Sequence, residues 1–335
     1  MPQPDRNRAL SSSTGIADRL DSNPHRFHSA SFQRVLARAR LFARDRRATI
    51  LLEGESGTGK TLLARYLHLA SPRAQKPFQA VVLSTLDDTL AASELFGHVS
   101  GAYTDARHSR AGHFVSANGG TLFLDEIGKA SLAVQQRLLH AVEYGEFRPV
   151  GSDRDMRVDI RIIAATNLRL EDQVSRERFL PDLYARLAIF SLTMPPLRER
   201  RADIPQLVAE SVAKHALDAG YALAPDVDEH LMVALRSAPW PNNLRQLDAT
   251  MHRLVLEADG DTVLRLDHCH DSLEYLRAAG KQPDPLTPER IADAVQKTGS
   301  FSGAARVLGV HRATLHRHRR NQADANAAPG IERHA

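Results

Sequence analysis

The stretch Gly54-Glu55-Ser56-Gly57-Thr58-Gly59-Lys60-Thr61 constrains this chain more than any other. It fits G-x-x-x-x-G-K-[ST], and it falls between an apolar strand-like run, Thr49 to Glu53, and a helical stretch, Thr61 to Ala70. In that context the glycines let main-chain N–H groups approach phosphates, and the helix N-terminus adds positive potential. Lys60 would reach the β and γ phosphates and Thr61 would ligate Mg²⁺. The competing reading is a glycine-rich turn that binds nothing, and the flanking strand and helix weigh against it.

Strand and helix signals alternate along the first part of the chain. Ala80 to Leu83, Thr121 to Asp125 and Asp159 to Thr166 read as strands, Ser131 to Glu143 as a helix. Ser31 to Arg44 carries Phe32, Val35, Leu36, Ala39, Leu41 and Phe42 at helical spacing. This alternation predicts an α/β fold built on a parallel sheet. After Pro195-Pro196 the strand signals stop, and Ile204 to Ala219, Pro225 to Ser237 and Asn243 to Glu257 read as a helical lid.

The expected organisation is a flexible leader over residues 1–29, an α/β subdomain over 30–196 and the lid over 197–260. A Pro- and Gly-containing linker follows over 261–287, then a helical unit over 288–320 and a disordered tail over 321–335. The leader is too short for a sensory domain, so control in trans or by expression is expected.

The chain has 335 residues and 42% hydrophobic content, enough for a sizeable core. It has no apolar run long enough for a membrane span and one cysteine, Cys269, so no internal disulfide; a cytoplasmic location without membrane contact is expected. His268-Cys269-His270 invites a metal reading, but consecutive residues do not easily converge on one ion, and an incidental polar cluster is preferred. The net charge of +4 is unevenly spread. Between Thr287 and Arg320, seven basic side chains face two acidic ones, a surplus of five that leaves the rest slightly acidic. Such a concentration points to a polyanion, with double-stranded DNA the natural candidate.

Two more strand ends carry candidate chemistry. Gly119-Gly120-Thr121-Leu122-Phe123-Leu124-Asp125-Glu126 is an apolar strand ending in two carboxylates: Asp125 to hold Mg²⁺, Glu126 to polarise an attacking water. Ile162 to Asn167 is a third such strand, and an adjacent parallel strand would bring Asn167 near the γ-phosphate as a sensor; a turn-forming Asn is the plain alternative.

Together with Ser93-Glu94-Leu95-Phe96-Gly97-His98, Gly101-Ala102-Tyr103-Thr104-Asp105-Ala106 and Trp240-Pro241-Asn242-Asn243-Leu244-Arg245, these segments resemble the AAA+ domain of sigma-54-dependent transcriptional activators. The resemblance implies an AAA+ P-loop domain with a helical lid, an ATPase using ATP and Mg²⁺, and a homo-oligomeric ring, usually a hexamer. It implies that Gly101 to Ala106 corresponds to the family's GAFTGA loop, with Tyr103 and Thr104 touching sigma-54. It implies that Arg186 reaches the neighbouring subunit's γ-phosphate and that Arg245 acts in cis from the lid.

The chain departs from the family pattern at four places. Asp105 replaces a glycine at the loop tip, and Val82 stands where an Asn usually holds the catalytic glutamate at rest. Leu180 replaces an arginine, leaving Arg186 as the clear finger, Arg178 as a displaced substitute and a mixed ring with a paralogue as an option. Thr61 stands where Glu is common.

Pro288 to Thr298, Ser302 to Leu308 and Arg312 to Arg320 read as three short helices, with Gly309 at the turn. They resemble the family's Fis-type helix-turn-helix and would present Arg312, Thr314, His316, Arg317 and Arg319 to DNA. The expected function is ATP-dependent remodelling of sigma-54 RNA polymerase holoenzyme by an activator bound upstream. The alternative is a nucleotide-regulated DNA-binding regulator that does no remodelling.

Overall fold

The computed structural model describes residues 27–83, 88–102, 108–268, 288–298, 300, 303, 304 and 307. The chain divides into two compact units, Met1–His268 and Cys269–Ala335.

In the first unit helix α1 (Ala30–Ala43) leads into β1 (Ile50–Glu53), the glycine-rich loop and α2 (Lys60–Leu69). Then come β2 (Phe78–Val82), α3 (Asp88–Phe96), the single turn α4 (His113–Ser116) and β3 (Thr121–Asp125). A 3₁₀ turn, Ile127–Lys129, joins β3 to α5 (Leu132–Tyr144), which is followed by a short hairpin, β4 (Glu146–Phe147) and β5 (Met156–Arg157). The α/β part closes with β6 (Arg161–Thr166), α6 (Leu170–Ser175), α7 (Pro181–Leu187) and β7 (Phe190–Thr193).

Five strands form one sheet in the order β2-β3-β6-β1-β7, every pairing parallel. Its middle strands are apolar on both faces because helices cover both sides. Alternate residues divide between two cores: Leu51, Leu122, Leu124, Ile162 and Ala164 face one, and Ile50, Leu52, Phe123, Ile163 and Ala165 face the other. The second core lies under α1 and α2, which supply Phe32, Leu36, Leu63 and Leu67. Strand β7 was not foreseen from sequence; its backbone extends the sheet beyond β1 and buries Leu192.

The register aligns the strand ends along one edge of the sheet. Glu53 is level with Thr166, and Val82 with Asp125. The residues that follow β1, β3 and β6 therefore emerge together, which is where open parallel sheets place ligands.

The lid contains α8 (Ile204–Asp218), α9 (Glu229–Ser237) and α10 (Asn243–Glu257), with buried Trp240 anchored by its Nε1 donating to Leu235 O at 2.8 Å. It is not purely helical. Between α8 and α9, β8 (Asp226–Val227) pairs in parallel with β9 (Val263–Leu264). The helix expected from Pro225 thus starts four residues later, because Asp228 caps it by accepting from His230 N. The stretch expected to open the linker is instead tied to the lid through β9.

In the second unit α11 (Pro288–Thr298) buries Ile291 and Ala294, and Ser300 Oγ accepts from Gly303 N at 3.0 Å. Most of the expected second helix, all of the third, and Arg312, Thr314, His316, Arg317 and Arg319 lie outside the described residues, as do most of the leader, the greater part of the linker and the tail. No described helix is long and apolar enough to cross a membrane.

Candidate functional site

Strand β1 ends where the chain must reverse around a small enclosed volume. Gly57 has φ of +76°, and a Cβ there would lie 2.3 Å from Asn242 O, so only glycine lets the loop pass this close to the lid. The loop opens α2 at Gly59, leaving the first N–H groups of that helix without side-chain caps, the usual setting for an anion.

Lys60 is buried, and its Nζ donates to Gly54 O at 2.7 Å and Glu55 O at 3.0 Å. Burial depresses its proton affinity, partly offset by the charges of Asp125 and Glu126. Thr61 Oγ1 donates to Asp125 Oδ2 at 3.4 Å, and Asp125 Oδ1 accepts from Glu126 N at 2.9 Å. Burial raises the Asp125 carboxyl above its ordinary range against the lowering effects of the Glu126 N–H and Lys60. A hydroxyl and a carboxylate within 3.4 Å of each other, next to an ammonium, form an oxygen donor set suited to a hard divalent cation beside a phosphate.

These groups share one cavity of about 630 Å³ with Ser56, Gly57, Thr58 and Gly59, with Glu126 and Asn167 from the sheet edge, and with Arg245 and Leu247 from α10. Phe27, Phe32, Leu207 and Met194 make part of the wall apolar, so the cavity joins a polar end to a greasy one. The lid side is held by direct bonds. Arg245 Nη1 donates to Ser56 Oγ at 3.1 Å, and Leu244 N donates to Gly57 O at 2.9 Å.

Three of the expected residues sit elsewhere. Gly54 and Glu55 line a separate shallow depression with Arg198. The Glu55 carboxylate takes a two-pronged contact from Arg198, 2.7 and 2.9 Å, which holds it below the usual carboxylate range. Any phosphate contact from Glu55 therefore falls to its main chain. Arg186 stands on α7 outside the cavity, its Nη2 donating to Glu143 Oε1 at 2.7 Å in a half-exposed pair.

Of the expected sigma-factor loop, Gly101 and Ala102 are described, and Tyr103, Thr104, Asp105 and Ala106 lie outside the described residues. The loop base is clamped. His98 and Arg110 exchange backbone bonds of 3.0 and 2.9 Å, Val99 N donates to Val150 O at 3.1 Å, and both His98 ring nitrogens are engaged, by Ser93 Oγ at 2.7 Å and His108 O at 3.0 Å. Two of the departures have a described setting, while Asp105 lies outside the described residues. Leu180 packs on the core while its N–H donates to Gln135 Oε1 at 2.8 Å, and Val82 is exposed beside Asp125.

Sequence reasoning missed Asn243 and Arg198. Asn243 is fully buried with φ of +50°, and its amide bridges Leu197 N, Ser56 O and Glu55 Oε2. An Asn two residues before Arg245 was a signal, since Asn tolerates that left-handed backbone; nothing local marked Arg198.

Residues 26–193 match the Sigma-54 interaction domain, and residues 198–285 match an AAA+ ATPase lid domain. The Nif-specific regulatory protein of Azotobacter vinelandii is 38% identical over 298 residues, covering 84% of this chain and 56% of the relative. The transcriptional regulatory protein ZraR of Klebsiella oxytoca is 40% identical over 283 residues, covering 80% of this chain and 62% of the relative. This chain therefore spans little more than half the length of these relatives. The crystal structure of NtrX from Brucella abortus in complex with ATP superposes with a TM-score of 0.66 at 28% identity, covering 93% of this chain and 73% of that one.

Proposed function

The chain belongs to the Sigma-54 interaction domain family, and from that premise we propose that it is an ATPase that remodels sigma-54 RNA polymerase holoenzyme from an upstream DNA site. The observation that carries this reading is the convergence of Lys60, Thr61, Asp125, Glu126, Asn167 and Arg245 on one cavity. NtrX, which shares the fold, was crystallised with ATP, and that supports ATP as the ligand.

In this reading Ser56 to Gly59 cradle the phosphates through main-chain N–H groups, and the Lys60 ammonium exchanges its two loop carbonyls for phosphate oxygens. Thr61 and Asp125 hold Mg²⁺, which would neutralise phosphate charge. Glu126 orients the attacking water and accepts its proton, while Asn167 contacts the γ-phosphate. Arg245 acts from the lid of the same subunit. Arg186 acts on the next subunit, because it lies outside its own cavity and its exposed pair with Glu143 is cheap to break. This requires a ring of copies of this chain or a mixed ring with a paralogue.

The segment from Gly101 to Ala106 contacts sigma-54, and the basic segment with Arg312, Thr314, His316, Arg317 and Arg319 binds double-stranded DNA. The test is open-complex formation with sigma-54 holoenzyme, ATP and Mg²⁺, with Lys60→Ala and Thr104→Ala as controls. Promoter opening by wild type and its loss in both variants is expected. ATP turnover without opening would leave an ATPase with a different target.

A further inference from the structure

We propose that Lys129 is a positioning residue that restrains the carboxylate of Glu126 and so sets the basal rate of ATP hydrolysis; this rests on the hydrolytic reading of the cavity. Glu126 and Lys129 open and close the 3₁₀ turn that follows β3. They are joined twice. Lys129 N donates to Glu126 O at 2.9 Å, and the Lys129 ammonium forms an ion pair with Glu126 Oε2, an oxygen shut off from solvent.

The turn that brings them together has little freedom. Glu126 has φ of +58°, a backbone that non-glycine residues adopt at a cost, and its N–H is tied to Asp125 Oδ1. On the far side, a Cβ on Gly128 would lie 2.8 Å from Thr166 Oγ1 and 3.2 Å from Leu170 Cδ2, so the turn is pressed against the end of β6 immediately before Asn167. The ion pair is thus formed by a turn wedged between the two strand ends that supply Asp125 and Asn167. Beside it in register stands Val82, whose side chain has no hydrogen-bonding group to offer a carboxylate.

With one oxygen held by the Lys129 ammonium, the Glu126 carboxylate is committed to the turn, and the pair must open before both oxygens are free to orient a water in the cavity. The Lys129 side chain is 43% exposed and that of Glu126 28% exposed, so water reaches the lysine side of the pair, although Oε2 itself is shielded, and the pair can open during turnover. Pairs of this kind change an equilibrium by about fivefold at most. Lys129 itself does not line the cavity that holds the phosphate loop, so its removal is expected to act on turnover more than on nucleotide binding.

The experiment measures steady-state ATP turnover and nucleotide affinity for the full chain as wild type, Lys60→Ala, Lys129→Met and Lys129→Arg. Lys129→Met is expected to raise kcat by roughly two- to fivefold with KM and affinity unchanged. Lys129→Arg, which keeps charge and donors, returns turnover toward the slower wild-type rate. Wild-type turnover with Lys129→Met equal to or slower than it, or a changed KM, overturns the proposal alone. Wild-type turnover no higher than that of Lys60→Ala overturns the hydrolytic reading, and the proposal with it.

Discussion

Asn243 Nδ2 donates to Ser56 O at 2.9 Å, so the first residue of α10 is bonded directly to the phosphate-binding loop. The same side chain accepts from Leu197 N at 2.7 Å, which makes it the junction of loop, lid helix and the segment entering the lid. Asn243→Ala leaves the buried Leu197 N–H and the half-buried Ser56 carbonyl without this partner, at a cost of about 1–3 kcal/mol. A lower melting temperature and nucleotide binding weaker by roughly tenfold are expected, measured by thermal unfolding and by titration of a fluorescent ATP analogue. Unchanged binding would show that the lid does not depend on this bond.

Gly57→Ala tests the close approach from the other partner. The new Cβ would meet the Asn242 backbone at 2.3 Å in a left-handed conformation, so the loop or the lid must move. Nucleotide binding is expected to fall at least as far as in Asn243→Ala. A double variant should show less than the sum of the two losses, because both break the same contact.

Asp125 gives a pH-dependent prediction. Its carboxyl is raised by burial, so the folded chain holds that proton more tightly than the unfolded chain does. Its contribution to stability is therefore present below the unfolded value of 3.8 and is lost as pH rises through the folded value. Asp125→Asn should unfold at a higher temperature than wild type near neutral pH, and the advantage should vanish below about pH 4. The same variant should lose hydrolysis, a conflict between stability and function that separate melting and turnover measurements would expose.

Arg186→Ala removes only a half-exposed pair, worth about 0–1 kcal/mol, so folding should be unaffected. Turnover should fall by about a thousandfold if the guanidinium serves a neighbouring subunit. Mixing Arg186→Ala with Lys60→Ala should then restore part of the activity, because some interfaces pair an intact loop with an intact arginine. No restoration on mixing would argue for a role within one subunit.

His98→Ala frees the base of the loop that begins at Gly101. Ser93 Oγ and the His108 carbonyl both lose their partner, and the backbone pairing with Arg110 loses its anchor. ATP turnover should persist while promoter opening is lost. Loss of both would place His98 in the fold of the whole α/β domain.

Much of the site was legible because its chemistry is local. Residues 54–61 carry their loop geometry in consecutive glycines, and Asp125 and Glu126 announce themselves as acids after an apolar strand. The helix bounds of α10 coincide with the stretch read from periodicity, since Leu247, Met251 and Leu254 recur on one buried face. Strand β7 and the pair β8 and β9 were not legible: β8 and β9 have two residues each, and β7 interleaves Ser191 and Thr193 with Phe190 and Leu192, whereas β1 is a run of three apolar residues.

What the sequence by itself determined is therefore the inventory: a phosphate loop, a carboxylate pair, a polar strand end and the family to which they point. What only the tertiary structure decided is which of these meet. Arg198 reaches Glu55 across 143 residues of chain, and Asn243 reaches Ser56 across 187. Such contacts depend on the register of a five-stranded sheet and the packing of a lid upon it, and neither is encoded in the spacing of neighbouring residues.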